Sequence, residues 1–364
     1  MTKMKNFKLS RRDFLKMSGL AMGALALPKA ERSSQAVEQF VDGKLYGRIA
    51  VGDVGAWTEM RTEPNVDAPV AKTIFRDDVF EIKREVVANK LDMNRYKQRW
   101  YETPEGYVHS WMMQPCRSHT NPVVNVLPEQ ADGQRGMWVE VTIPKVNIQL
   151  QGAMESASYW IKSVPQPKLY YSQVHWVSDI RQNNGRTEYL LSEKYGAMPD
   201  HYWVDASACR IITPEEIAPL HPEVGDKHIV VDLYNQTLRA FEGKREVYFC
   251  EVSTGYVQEG KWTTTPGIHH TWRKMISLHM SAGGVSPYDS PGIAWTLLYH
   301  SDGQAIHTAY WHNNFGVALS HGCVNCLPHD AKWIWRWSEP HVGYYPGELT
   351  IQGFVGNTTV EVIE

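Results

Sequence analysis

The sequence has almost no excess of charge of either sign: 37 basic and 40 acidic residues among 364 leave a formal net charge of −3. A nucleic-acid binder normally carries a basic excess or stripe, so that class receives no support. Membrane-spanning length is also missing from the N-terminal apolar run, Met17 to Leu27, which is about eleven residues where a spanning helix needs about 20. No lipobox cysteine accompanies that run. Cysteine is scarce, with Cys116, Cys209, Cys250, Cys323 and Cys326 the full set. In an oxidising compartment an odd number leaves at least one thiol unpaired, as expected if one is catalytic. There is no early strand–helix–strand succession either, which excludes a thioredoxin-like reading of Cys323-Val324-Asn325-Cys326.

What is present begins with an address. Lys3, Lys5 and Lys8 lead into Ser10-Arg11-Arg12-Asp13-Phe14-Leu15-Lys16, then the apolar run, then Pro28-Lys29-Ala30. The order of charged, apolar and small residues is that of a twin-arginine export signal over residues 1–30, expected to be cleaved near Ala26 to Ala30, with an uncleaved anchor as the alternative. Export places the mature protein in the periplasm, cell wall or extracellular space. Residues 31–43 read as a linker.

The rest of the chain alternates short apolar runs with turn residues, the pattern of a mainly β protein. Over residues 44–118 the runs are Gly47–Val51, Ala68–Ala71, Val79–Ile82, Gln98–Tyr101 and Gly106–Val108. Arg61-Thr62-Glu63-Pro64-Asn65, Trp100-Tyr101 before a Pro-Glu-Gly turn, and Gly106-Tyr107-Val108 resemble a bacterial SH3-like domain. Residues 137–219 repeat the theme in Trp138–Ile143, Leu169–Val177 and Glu188–Leu190. Tyr202-Trp203-Val204-Asp205 with Cys209-Arg210 echoes Tyr107-Val108-His109 with Cys116-Arg117, which points to a second, diverged SH3-like module. The 14 Trp and 18 Tyr suit the cores of such modules, and equally a surface for cell-wall glycan or peptide. After the proline-bearing joint Pro214 to Pro222, residues 226–364 open with His228–Leu233, Thr237–Phe241 and Glu246–Ser253, joined by Tyr234-Asn235-Gln236 and Glu242-Gly243-Lys244 turns. One helix stands out at Pro328–Trp337, with proline and an acidic residue in its first turn.

The chemistry concentrates in Ile306-His307-Thr308-Ala309-Tyr310-Trp311 and Ser320-His321-Gly322-Cys323-Val324-Asn325. A thiol attacks a carbonyl as thiolate, and a neighbouring imidazole is the usual way to take its proton. Cys323 is therefore the candidate nucleophile. Gly322, lacking a Cβ, would let a substrate carbonyl approach backbone N–H groups able to hold an oxyanion. The helix that follows would favour a thiolate if its N-terminus came close.

These two segments, with Ser253-Thr254-Gly255 and Thr265-Pro266-Gly267, resemble the catalytic domain of the L,D-transpeptidases, the YkuD family. The resemblance implies a β-sandwich catalytic domain with one short helix, no cofactor and no metal, and carbapenem-type β-lactams as inhibitors. It assigns the base to His307 rather than His321, which would line the pocket near the oxyanion donors. Thr308 would orient the base through its carbonyl. Ser320 and Asn325 would fix the loop, and Tyr288 would lie over the pocket. The implied activity is cross-linking of peptidoglycan stem peptides through a Cys323 thioester. With water as acceptor the same site would be an L,D-carboxypeptidase or a wall-protein amidase. A non-catalytic wall-binding protein is the alternative of another class, its third domain inert or stabilised by zinc on Cys323, Cys326 and two of His307, His312, His321 and His329. Cys326 departs from the family's apolar residue, and is expected to act as an apolar substitute or as a thiol that reversibly locks Cys323. His269, His270, His279 and His300 receive no role.

Overall fold

Alternating sequence becomes strand wherever the pattern is clean. Met137–Val141, Lys227–Asp232, Thr237–Glu242 and Arg245–Glu251 all form, and the last three make a meander whose turns use Gln236 and Gly243 at φ of 54° and 58°. The run expected from Leu169 to Val177 is instead two strands, Lys168–Tyr170 and Val174–Asn183. Ser172 between them adopts φ 73°, outside the β region, where the chain makes a turn. The computed structural model describes residues 40–52, 55–130, 133–152, 158–193, 200–282, 288–351 and 357–364. The export signal read at residues 1–30 and most of the 31–43 linker lie outside them.

Three β blocks follow one another, and residues 39–364 form one compact unit. The first block has a three-stranded and a five-stranded sheet around Ile49, Met60, Ile74, Val108 and Met113. The second is a six-stranded sheet whose core includes Val139, Leu169, Tyr189 and Tyr202. The echo between these blocks is structural. In each, a strand runs into a 3-10 turn and on into a second strand, and the side chain before the turn caps it: His109 Nδ1 accepts the Trp111 N–H, and Asp205 accepts the Ser207 N–H.

The third block is a sandwich of two five-stranded sheets. One runs Arg245–Glu251, Thr237–Glu242, Lys227–Asp232, Thr359–Ile363, Gly267–His270; the other runs Val324–Cys326, Ala305–Thr308, Tyr288–Leu298, Arg273–Ala282, Glu348–Thr350. Helix Pro328–Trp337 has the bounds expected from sequence and buries Ile334, Trp335 and Trp337 in the main core. A four-residue helix, Tyr159–Lys162, was not foreseen. The joint after residue 213 is itself packed: Thr213 and Glu216 form a capping box, and Ile212, Ile217, Trp138 and Trp176 share the main core with the third block. Most tryptophans in that core, among them Trp138, Trp295, Trp335 and Trp337, are almost wholly buried. No helix among the described residues is long and apolar enough to cross a membrane.

Candidate active site

The site is made by two short parallel strands, Ala305–Thr308 and Val324–Cys326, in which His307 stands opposite Asn325. Alternation puts Cys323 on the same face as Asn325, and so on the same face as His307. The spacing between the two Cα positions is roughly 8 Å, given strands about 4.8 Å apart and two residues along. Cys326 has the opposite parity.

His307 is 2% exposed. Its Nδ1 lies 2.9 Å from the Thr308 carbonyl oxygen, which can only accept, so Nδ1 carries the proton and Nε2 is left free as the basic nitrogen. Burial pushes the imidazole down to about 4, the Thr308 bond opposing it. Cys323 is partly exposed and packs against the cluster of Met275, Met280, Ile293, Leu298, Ala305 and Tyr310. Burial raises its thiol to about 11, and the Ala305 N–H works against that rise.

The turn before Cys323 is stapled by Ser320. Its hydroxyl donates to the Cys323 carbonyl and accepts the Gly322 N–H at 3.1 Å. The Gly322 N–H, expected to face an oxyanion, is therefore already engaged. Glycine is needed at 322 for a different reason: φ is 146°, and a Cβ would come within 3.0 Å of the Thr263 carbonyl, while its own carbonyl accepts from Thr264 Oγ1 at 2.9 Å. Asn325 is 2% exposed and exchanges both backbone hydrogen bonds with Ser253, which ties the Cys323 strand to the first sheet.

His312 was considered in sequence only as a zinc ligand, yet it is built into this site. Its Nδ1 accepts the Asn314 N–H at 3.2 Å, and its Nε2 lies 3.0 Å from the Asn325 amide. Burial lowers it to about 4, with the nearby His307 adding to the shift. Trp311 sits beside His307 at 5.9 Å between ring centroids.

Residues 226–362 match the L,D-transpeptidase catalytic domain, the YkuD family. The match covers less than half of the chain. Solved structures similar to it include an avibactam carbamoyl enzyme of Ldtfm (24% identity, 40% of this chain and 51% of that one, TM-score 0.31). A catalytic domain from the E. faecium L,D-transpeptidase has 23% identity over 38% of this chain and 98% of that one, at TM-score 0.29. The L,D-transpeptidase from Mycobacterium smegmatis has 13% identity over 67% of this chain and 96% of its own, at TM-score 0.31. The chain spans about half the length of the first of these, 51%. No curated protein matches it.

Around this site the remaining expectations are met unevenly. His321 is exposed, its ring 5.9 Å from both Tyr256 and Tyr288, so it belongs to an aromatic rim and not to the buried pair. Tyr288 opens the strand Tyr288–Leu298; burial first, and the Cys323 charge second, raise its phenol. The stretch 283–287 before it lies outside the described residues. Cys326 cannot lock Cys323. It is fully buried in the inter-sheet core beside Cys250, on the other face of its strand, and all five cysteines are free thiols. The same opposition of faces removes a zinc site shared by Cys323 and Cys326, and His321 and His329 are exposed. The helix dipole does not reach the nucleophile either. Four extended residues, Val324 to Leu327, roughly 13 Å at 3.3 Å each, separate Cys323 from the helix start.

Proposed function

We propose that the protein is an exported L,D-transpeptidase acting on peptidoglycan stem peptides. The observation that carries this is the His307 ring held by the Thr308 carbonyl, on a strand that pairs in parallel with the strand directly after Cys323. Cys323 attacks the carbonyl of the residue preceding a terminal D-amino acid while His307 Nε2 takes the thiol proton. The tetrahedral oxyanion draws on the Cys323 backbone amide. Collapse breaks the amide bond, and His307 returns the proton to the departing D-amino acid nitrogen, leaving a thioester. An amine from a neighbouring stem then attacks the thioester, its proton passing through His307 to the regenerated thiol. The rim of Tyr256, Tyr288 and His321 offers aromatic surface to the donor stem. The twin-arginine signal supports export, and the two N-terminal β blocks, read as SH3-like, support cell-wall contact.

Incubating purified tetrapeptide-stem muropeptides with the protein and with Cys323→Ala, followed by mass spectrometry, tests this. Cross-linked dimers made only by the unmodified protein are expected. Shortened stems without dimers would make it an L,D-carboxypeptidase, and no change with either protein would leave a wall-binding protein.

A further inference from the structure

We infer that the first β block is a working part of the active site, and that Arg48 in its first strand is a positioning residue for the loop that carries His307's neighbours. This rests on the function proposed above. Arg48 is 1% exposed, an unusual place for a guanidinium, and its two Nη atoms are bonded in three directions while Nε has no partner. Nη1 donates to Asp77 at 3.0 Å, and Nη2 donates to Gln114 at 2.9 Å and to the carbonyl of Tyr310. The guanidinium lies 4.1 Å over the Tyr170 ring, which itself stacks on Tyr310 and donates to Asp77. One side chain therefore joins the first block (Asp77, Gln114), the second (Tyr170) and the third (Tyr310).

Three residues on, a second anchor grips the same loop. Asn313 donates to the Ser110 carbonyl at 3.0 Å and lies 3.4 Å from the Tyr101 hydroxyl, both in the first block. Between the two anchors are only Trp311, against the His307 ring, and His312, bonded to Asn325. The first block thus clamps the loop at both ends of the pair that backs the catalytic dyad. Tyr96 extends the contact by filling the space beside Gly316, where a Cβ would come within 2.4 Å of its ring, and Lys97 pairs with Glu251 at 3.0 Å. A module that merely tethered the enzyme to the wall would need none of these.

Arg48→Lys keeps the charge but cannot hold Asp77, Gln114 and Tyr310 in one planar fork. The test compares it, Asn313→Ala and the exposed-pair control Lys44→Gln with the unmodified protein in three measurements. These are thermal melting, carbapenem acylation with its kcat-type and KM-type terms separated, and iodoacetamide alkylation of Cys323 against pH. A small misplacement of catalytic groups is expected to slow acylation at least about tenfold at little change in the binding term. It should also move the alkylation profile, because Tyr310 and Trp311 share with Cys323 the packing that raises its thiol, while Lys44→Gln changes nothing. Lower melting temperatures with unchanged rates per folded molecule and an unchanged pH profile would overturn the inference. If Arg48→Lys does not fold, Asn313→Ala decides. If the unmodified protein acylates nothing, the proposed function fails, and the alkylation profile still judges the clamp because it needs only the thiol and its surroundings.

Discussion

Burial fixes the resting state of the two reacting groups before any substrate arrives. With Cys323 raised to about 11 and His307 lowered to about 4, both are neutral at pH 7. The pair is thiol and imidazole, and the proton moves during attack. Two pH dependences follow. Alkylation of Cys323 by iodoacetamide should climb through the alkaline range toward about 11, because it reads free thiolate. Acylation should be level across neutral pH and fall only as pH drops through about 4, where His307 gains a proton and can no longer accept one. His307→Ala should separate the two: acylation drops by about 10²–10⁴ while alkaline alkylation is retained. An ion-paired resting state would instead give fast alkylation at neutral pH that His307→Ala abolishes. At this scale the sequence pointed to contacts between near neighbours in the chain, such as His307 with the Thr308 carbonyl and Ser320 with Cys323. It was silent on His312, whose partner Asn325 is brought to it only by the parallel pairing of two strands.

Elements were legible where one local rule dominated. Helix Pro328–Trp337 was marked by its proline start and its apolar spacing, and the Thr237–Glu242 meander by turn residues that accept positive φ. The break at Ser172 was not marked, since serine has no strong preference for that conformation; the residue is buried and its N–H donates to the Val141 carbonyl. Strand parity decides what the motif Cys323-Val324-Asn325-Cys326 means. Odd positions face the reaction and even positions face the core, so a C-x-x-C spelling across a strand is not a redox pair. Cys326→Ala should therefore leave acylation within about twofold and cost about 1 kcal/mol or more of stability through the small cavity it opens. Chemical denaturation alongside the acylation assay checks both; loss of activity at full stability would return Cys326 to the chemistry.

For the molecule as a whole, buried titratable groups set the pH window of stability. Burial holds His109, His307 and His312 at about 4 and His175 at about 3, all below the ordinary 6.5. A depressed folded pKa means that the unfolded chain binds protons first, so this stability is present above about 6.5 and is lost as pH falls toward 4 and below. Each histidine contributes a slope of up to about 1.4 kcal/mol per pH unit. His279 behaves oppositely. Burial alone would lower it, but hydrogen bonds to Asp289 and Glu193 and their charges raise it to about 9. Its contribution is complete below 6.5 and fades as pH rises through 9. Urea midpoints measured from pH 4 to 10 should show a steep acid limb and a shallower alkaline one, and His279→Gln should flatten the alkaline limb alone. The seam that His279 spans, from the second block's Glu193 to the third block's Asp289, is one of several. Trp138 reaches from the second block into the third, donating its ring N–H to the Tyr344 carbonyl at 2.7 Å and filling the space a Cβ on Gly347 would need. A recombination event that carried residues 226–364 into another protein would leave that tryptophan behind and a wet, apolar socket in its place. Packed this way, residues 226–364 are not a cassette that could move alone without exposing buried apolar surface.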